Sequence, residues 1–314
     1  MDIGTLETMQ QHLKGFGSHV SMAAREGQTW KKIVLSSNDT ISDSDDAVWY
    51  IRRFTAPIFA APIGALDMHY GPKYKDPEYN TILVRAAYEY GVAALTGDGV
   101  NPEIMKSAVR DMAEVEGVGI PTIKPWNKEA VFEKLDYVNA HGIFAAAMDV
   151  DGAGLPFLKA MNPNAGSKSV SEMREIIEYA GRPFLVKGIM TVAGAKKAVE
   201  AGAAGIVVSN HGGRVQGGTP ATAEVLPAIA DAVKGQLTIF VDGGIRSGVD
   251  VFRAIALGAD AVLIGRPILN MIYGSAEEGF KVYMDKIVGE FKSTMQMCGA
   301  ASLKDITRDK VFLG

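Results

Sequence analysis

Several polar clusters in this sequence stand where short apolar runs end. Ser209-Asn-His211-Gly-Gly-Arg214 follows Gly205-Ile-Val-Val. Histidine titrates near neutrality and suits general-base work, and an arginine three residues on offers a planar clamp for an anion. A lone histidine in a turn is more often a hydrogen-bonded structural group, but the glycines and Arg214 beside His211 favour chemistry. Asp242-Gly243-Gly244-Ile-Arg246 follows Ile239-Phe-Val, and Gly265-Arg266-Pro267 follows Ala261-Val-Leu-Ile. Paired glycines let backbone N–H groups approach an anion closely, and arginine adds charge and donors. One such motif leaves an even choice between an anion site and a solvated turn; two on adjacent strands favour the anion site. Lys187 closes Phe184-Leu-Val, and a lysine there either projects into a cavity or snorkels outward. Lys124, in Gly119-Ile-Pro-Thr-Ile-Lys124-Pro, is the nearest parallel. His12, His19, His69 and His141 lack such company; of these only His69 follows an apolar run that bears on the same end.

These clusters need a scaffold that brings strand ends together. Short apolar runs begin near residues 58, 92, 119, 144, 184, 205, 238 and 261, and helical patterns separate them. The first run is Ile58-Phe-Ala-Ala-Pro62-Ile63-Gly64, continuous as in a strand buried on both faces. Helices are expected over 80–90, 128–139, 171–180, 192–201, 221–233, 248–257 and 277–297, with loops over 67–79 and 152–169. Alternating βα units imply a parallel sheet, and eight of them a closed (β/α)8 barrel of TIM type, in the α/β class. In such barrels the carboxyl ends of the strands carry the chemistry, and a phosphate often lies after strands seven and eight. The rival is an open doubly wound sheet; no G-x-G-x-x-G follows the first strand, which argues against its dinucleotide-binding form. Residues 1–50 carry no barrel pattern and read as an extension packing on the barrel, with short helices over 9–13 and 23–33 and a polar loop over 36–46. Residues 51–314 form the single barrel domain.

Composition narrows the class. The net charge of −4 gives no footprint for nucleic acid. No apolar run is long enough to span a bilayer, and the amino terminus has no signal-peptide pattern. The single cysteine, Cys298, excludes an intramolecular disulfide and a cysteine-built metal site, so no metal is expected. A cytoplasmic enzyme is the simplest expectation.

The chain resembles the FMN-dependent α-hydroxy-acid oxidases and dehydrogenases, the family of glycolate oxidase, lactate oxidase and mandelate dehydrogenase. The motifs that carry the resemblance run from about Phe184 to Thr307: Val186-Lys187-Gly188-Ile189, Ser209 to Arg214, Pro220-Ala-Thr222, Asp242 to Phe252, Gly265-Arg-Pro267 and Met297-Cys-Gly. The resemblance implies that a 2-hydroxy acid is oxidised to the 2-oxo acid by hydride transfer to flavin N5. It makes His211 the base, Arg214 the carboxylate ligand and Lys187 the partner of flavin N1 and O2. It assigns the FMN phosphate to Gly243, Gly244, Arg246, Gly265 and Arg266, and the ribityl chain to Asp242. Pro62, Ile63, Gly64, Thr96, Ser209 and Gly212 complete the implied flavin contacts, and Asp151 matches the family's aspartate after strand four. A homo-oligomer, a tetramer or larger, is implied on the same ground.

The first half departs from that pattern. Residues 15–35 lack the substrate-binding Tyr pair, and no arginine lies between Asp151 and Arg174. The Gln and Tyr of strand three are replaced by Pro121 and Ile123, or in a shifted register by Thr122 and Lys124. Asp149 stands for the Thr of strand four and Asp98 for a Trp after strand two. Lys124, Asp149 and Asp98 are therefore the residues that could replace lost substrate contacts. The changed half leaves room for an FMN barrel like the type 2 isopentenyl diphosphate isomerases, or for a flavin-binding relative whose substrate site has decayed.

Overall fold

The computed structural model describes residues 33–35, 47–49, 52–155, 158, 160 and 165–313. Eight parallel strands form one sheet: β1 (Ile58–Ala60), β2 (Leu95–Thr96), β3 (Ile120–Ile123), β4 (Ala146–Asp149), β5 (Phe184–Ile189), β6 (Gly205–Val208), β7 (Thr238–Val241) and β8 (Ala261–Ile264). Their spatial order follows the chain, and β8 pairs with β1. The circle closes between β1 and β2 through one parallel bridge, Ala60 to Ala94. This is the expected (β/α)8 barrel.

The helices between them are α1 (Asp76–Tyr90), α2 (Glu103–Glu114), α3 (Lys128–Ala140), α4 (Val170–Ala180), α5 (Val192–Glu200), α6 (Thr222–Val233), α7 (Gly248–Ala256) and α8 (Arg266–Met297). Two differ from the sequence expectation. The segment after β1 is not all loop: Leu66–Tyr70 forms a short helix, and α1 begins at Asp76, where a proline at the first turn and Glu78, accepting from the Lys75 N–H at 3.0 Å, fix its start. α8 starts at Arg266, eleven residues before the expected closing helix. It breaks at Ser275 and Ala276, whose φ of 46° is left-handed, and the expected helix is its second limb. Gly279 makes the break possible, because a Cβ there would lie 1.9 Å from the Met271 carbonyl. β4 stops at Asp149, and Val150–Gly154 turns as a 3-10 helix.

Outside the barrel, strand Ile33–Leu35 pairs antiparallel with Val311–Leu313, and Ala47–Trp49 with Arg52–Phe54. Ile33 is thus in a strand, not at the end of a helix. The rest of the expected helices over 9–13 and 23–33, and the loop over 36–46, lie outside the described residues.

Strand periodicity divides the core into two layers. Phe59, Leu95, Ile120, Ala147, Leu185, Val207, Phe240 and Leu263 form a cluster inside the barrel. Their neighbours Ile58, Met148, Val186, Ile206, Ile239 and Val262 pack outward with the helices. Phe59 stands edge-on to Phe54 and Phe240, with ring centroids 4.9 and 5.6 Å away. Two residues beyond the inner layer, side chains again turn inward. That step lands on Thr122, Asp149, Lys187, Ser209, Asp242 and Gly265, all at carboxyl ends of strands.

Candidate active site

This upper layer is where an apolar barrel becomes polar. Lys187 is almost fully buried, so it enters the barrel rather than snorkelling outward. Its Nζ lies 3.2 Å from Asp149 Oδ1, 3.8 Å from Asp242 Oδ2 and 4.0 Å from Asp151 Oδ2. Burial works against its charge, but Asp149, Asp151 and Asp242 outweigh it and raise the lysine's pKa above its ordinary value. Asp149 also takes a bond from the Lys124 ammonium. Burial pushes its carboxyl up, yet His211, Lys124 and Lys187 together hold it well below the usual carboxylate range. Asp151 goes the other way: burial raises it, and Asp149 adds to that rise against the pull of Lys187. The two neighbouring carboxylates are thereby split.

The strand-three register is settled by the same alternation. Thr122 and Lys124 line the cavity, whereas Ile123 packs outward. Lys124 and Asp149 thus occupy the strand-three and strand-four places where the family resemblance leads one to expect Tyr and Thr. Asp98 has a different task. It accepts bonds from the Trp126 Nε1 at 2.7 Å, Lys134 Nζ at 2.8 Å, the Gly99 N–H at 2.8 Å and the Lys124 N–H at 3.0 Å. Its oxygens are committed to holding β3 and its loop, so Asp98 supports Lys124 and does not replace a substrate ligand.

His211 begins a turn in which it, Gly212 and Gly213 have φ of 60°, 63° and 74°. The left-handed region costs a non-glycine residue about 1 kcal/mol or more. The turn is held by the Ser209 hydroxyl, which accepts the His211 N–H at 3.1 Å, and by Asn210, which accepts the Gly213 N–H at 3.1 Å. His211 Nδ1 faces Asp151 Oδ1 at 3.1 Å and Asp149 Oδ1 at 3.4 Å. Two acceptors on that side assign the Nδ1 proton and leave Nε2 as the basic atom. Gly188, with φ of 102°, makes room for this arrangement, since a Cβ there would meet Asp151 at 2.7 Å. Asp149, Asp151 and His211 also bring one ligand atom each within 4.8 Å of one another. The Lys187 ammonium already supplies the positive charge such a cluster attracts.

Two adjoining cavities open at this end. The narrower is lined by Asp242, Gly243, Gly244, Arg246, Gly265 and Arg266, among others. Gly243 and Gly244 have φ of 89° and 76°, which turns their backbone into a cradle. The larger, of about 1160 Å³, is lined by Gly64, Thr122, Lys124 and Asp149 among others. Pro62, Ile63, Tyr70, His211, Arg214 and Arg266 belong to both, and Gly212 lines the narrower one. Arg266 donates to the Gly212 carbonyl at 3.2 Å, tying the two strand-end turns together. Thr96 lines neither cavity and Gly97 lines the larger one, while the Thr96 hydroxyl is buried with no hydrogen-bond partner among the described residues. Ser209 likewise shapes the turn without lining either cavity.

Tyr70 was not visible as a site residue in sequence, because the short helix that presents it was read as loop. Arg214 donates to its hydroxyl at 3.3 Å and lies 5.9 Å from its ring centroid. Such a contact fixes the guanidinium plane. Tyr70→Phe is expected to raise KM for a carboxylate substrate about tenfold, the worth of one hydrogen bond to a charged group, with a smaller change in kcat. Steady-state kinetics across a substrate panel checks it.

The fold and the glycine cradle beside a buried lysine define a flavin barrel. Residues 157–313 match the FMN-dependent dehydrogenase family, half of the chain, and the chain belongs to that family. It is 43% identical over 176 residues to a peroxisomal (S)-2-hydroxyacid oxidase of Arabidopsis thaliana, covering 55% of this chain and 48% of that protein. It is 48% identical over 145 residues to an L-lactate dehydrogenase of Pseudomonas putida, covering 46% of this chain and 38% of that one. The chain thus matches less than half the length of these curated relatives. Among solved structures, a mandelate oxidase variant with a monooxide FMN adduct superposes with a TM-score of 0.80 at 28% identity, covering 95% of this chain and 93% of that one. Mandelate oxidase with (S)-4-hydroxymandelic acid superposes at 0.82 over 98% of both chains; at 23% identity it supports the fold alone.

The site fits FMN on its own terms. The buried hydroxyl of Thr122 and Asp242 Oδ1 have no hydrogen-bond partner among the described residues. Both belong to residues lining the cavities, and buried polar atoms of this kind call for a ligand or water.

Proposed function

We propose that this chain is an FMN-dependent oxidoreductase that oxidises a 2-hydroxy acid to the 2-oxo acid. The observation that carries the reading is His211, oriented by Asp151 through Nδ1, lining the same cavity as Arg214 next to the glycine cradle. Arg246, Arg266 and the backbone of Gly243, Gly244 and Gly265, which line one cavity, would hold the FMN phosphate, Asp242 the ribityl chain, and Lys187 the pyrimidine side of the ring. When bound, FMN supplies the acceptor for the substrate's α-hydrogen and two electrons. Arg214, fixed by Tyr70, holds the substrate carboxylate. His211 takes the hydroxyl proton on Nε2, and Asp151 stabilises the imidazolium that results.

The hydroxyacid-oxidising relatives support this reading over an isomerase-like one. The family resemblance supports a homo-oligomer, a tetramer or larger, and the lone buried cysteine is consistent with a place in the cytoplasm. The test is anaerobic mixing of the FMN-loaded protein with a panel of 2-hydroxy acids. Loss of the visible flavin absorption with at least one of them is expected; no bleaching by any would overturn the reading.

A further inference from the structure

One residue in this site has no counterpart in the proposed reaction. Asp149 is the hub of the upper layer: Lys124 binds one of its oxygens, Lys187 lies 3.2 Å from the other, and His211 Nδ1 is 3.4 Å from that same oxygen. His211 is already oriented by Asp151, so Asp149 is not needed to hold the base. Lys124 and Asp149 lie two and zero residues beyond their strands' last inner positions, on adjacent strands, and bring one charge of each sign, Asp149 buried and Lys124 partly so. Such a pair is costly to bury and contributes little net stability compared with apolar residues of similar size. Its presence therefore calls for a functional account.

We propose that Asp149 is a charge-setting residue that lowers the midpoint potential of the bound FMN. This rests on the flavin reading above, in which Lys187 faces the ring. Reduction adds negative charge to a flavin, so a nearby ammonium favours it and a nearby carboxylate opposes it. Asp149 does both available things in that direction. It places a full negative charge in the cavity wall, and it takes up the field of Lys187 at 3.2 Å. In a dry site these effects are poorly screened. Lys124 offsets part of the charge and keeps Asp149 ionised, so the couple sets the potential without leaving an unpaired buried ion. Asp149 acts here as a positioning and tuning group for Lys187, and takes no proton from the substrate.

The test compares Asp149→Asn with the parent protein, and Lys124→Met with the double variant Lys124→Met/Asp149→Asn. The second comparison removes the same carboxylate where one fewer cation is left behind, so it serves if the single variant does not fold. The readouts are the midpoint potential of bound FMN, by equilibration with a reference dye, and the dissociation constant of sulfite, which adds to the oxidised ring as an anion. Loss of Asp149 is expected to favour reduction at least tenfold, a rise of about 30 mV for a two-electron couple, and to tighten sulfite by a similar factor. Unchanged values in both backgrounds would overturn the proposal. So would loss of FMN from both, which would make Asp149 part of the binding fold. If the parent protein itself takes up no FMN, the flavin reading fails and not this one alone.

Discussion

His211→Asn retains FMN and slows reduction of the flavin by a 2-hydroxy acid by a factor on the order of 10² to 10⁴, the usual contribution of a positioned general base. Asparagine tolerates the left-handed backbone that the turn imposes at 60°, so the variant isolates the imidazole from the turn. The cradle around Gly243, Gly244 and Arg266 does not depend on the ring, so the visible spectrum is expected to stay close to that of the parent. Stopped-flow reduction under anaerobic conditions measures the effect. A rate within threefold of the parent would remove His211 from the chemistry and favour a flavin-binding protein with no turnover.

Asp98→Ala has the largest expected effect on stability. The carboxylate is deeply buried and accepts four bonds, from the Gly99 and Lys124 backbone, the Trp126 indole and the Lys134 ammonium. Alanine leaves all four donors without their acceptor, one of them charged, and a broken buried pair costs about 3–5 kcal/mol. A urea midpoint falling well below that of the parent protein is the expected result. Asp98→Asn is milder, since its amide oxygen still accepts from two of the four donors while its NH2 confronts the other two. Because the Lys124 backbone is one of the four, Asp98→Ala also loosens the Lys124–Asp149 pair. A stability unchanged within 1 kcal/mol would show that these bonds are replaced by water.

The charge pattern carries its own pH dependence. Asp149 is held below the ordinary value of 3.8 and Lys187 above 10.5. A depressed carboxylate contributes stability that is present above its unfolded pKa and lost as pH falls through the folded one. A raised lysine contributes below its unfolded pKa and loses it as pH rises through the folded one. The stability cost of Asp149→Asn, followed by denaturant unfolding, is therefore expected to shrink in acid, as pH falls below the ordinary carboxylate value of 3.8.

The barrel was legible because each strand is a short apolar run ended by glycine or a polar residue, and some of the helices carry their own caps. Ser169 accepts the Glu172 N–H, and Ser247 heads α7 in the same way. Such signals are local. The glycine and arginine motifs after β7 and β8 were readable for the same reason, as one turn holds all the parts. The short helix Leu66–Tyr70 was not. Its Leu66 N–H is held by Asp76, ten residues on, and Lys73 reaches the Tyr273 carbonyl across the barrel seam.

Sequence alone determined the βα repeat, the anion cradle and the pairing of a histidine with an arginine on one turn, since each is written within a few consecutive residues. Tertiary structure decided the rest of the site: that Thr122 and Lys124 face inward, that Asp98 is a brace, that Tyr70 meets Arg214, and that Asp149 joins Lys124, Lys187 and His211. Those contacts link residues 25 to 144 positions apart in the chain. They exist only because closing the sheet sets the ends of different strands side by side, where the charges of each fix the state of the others.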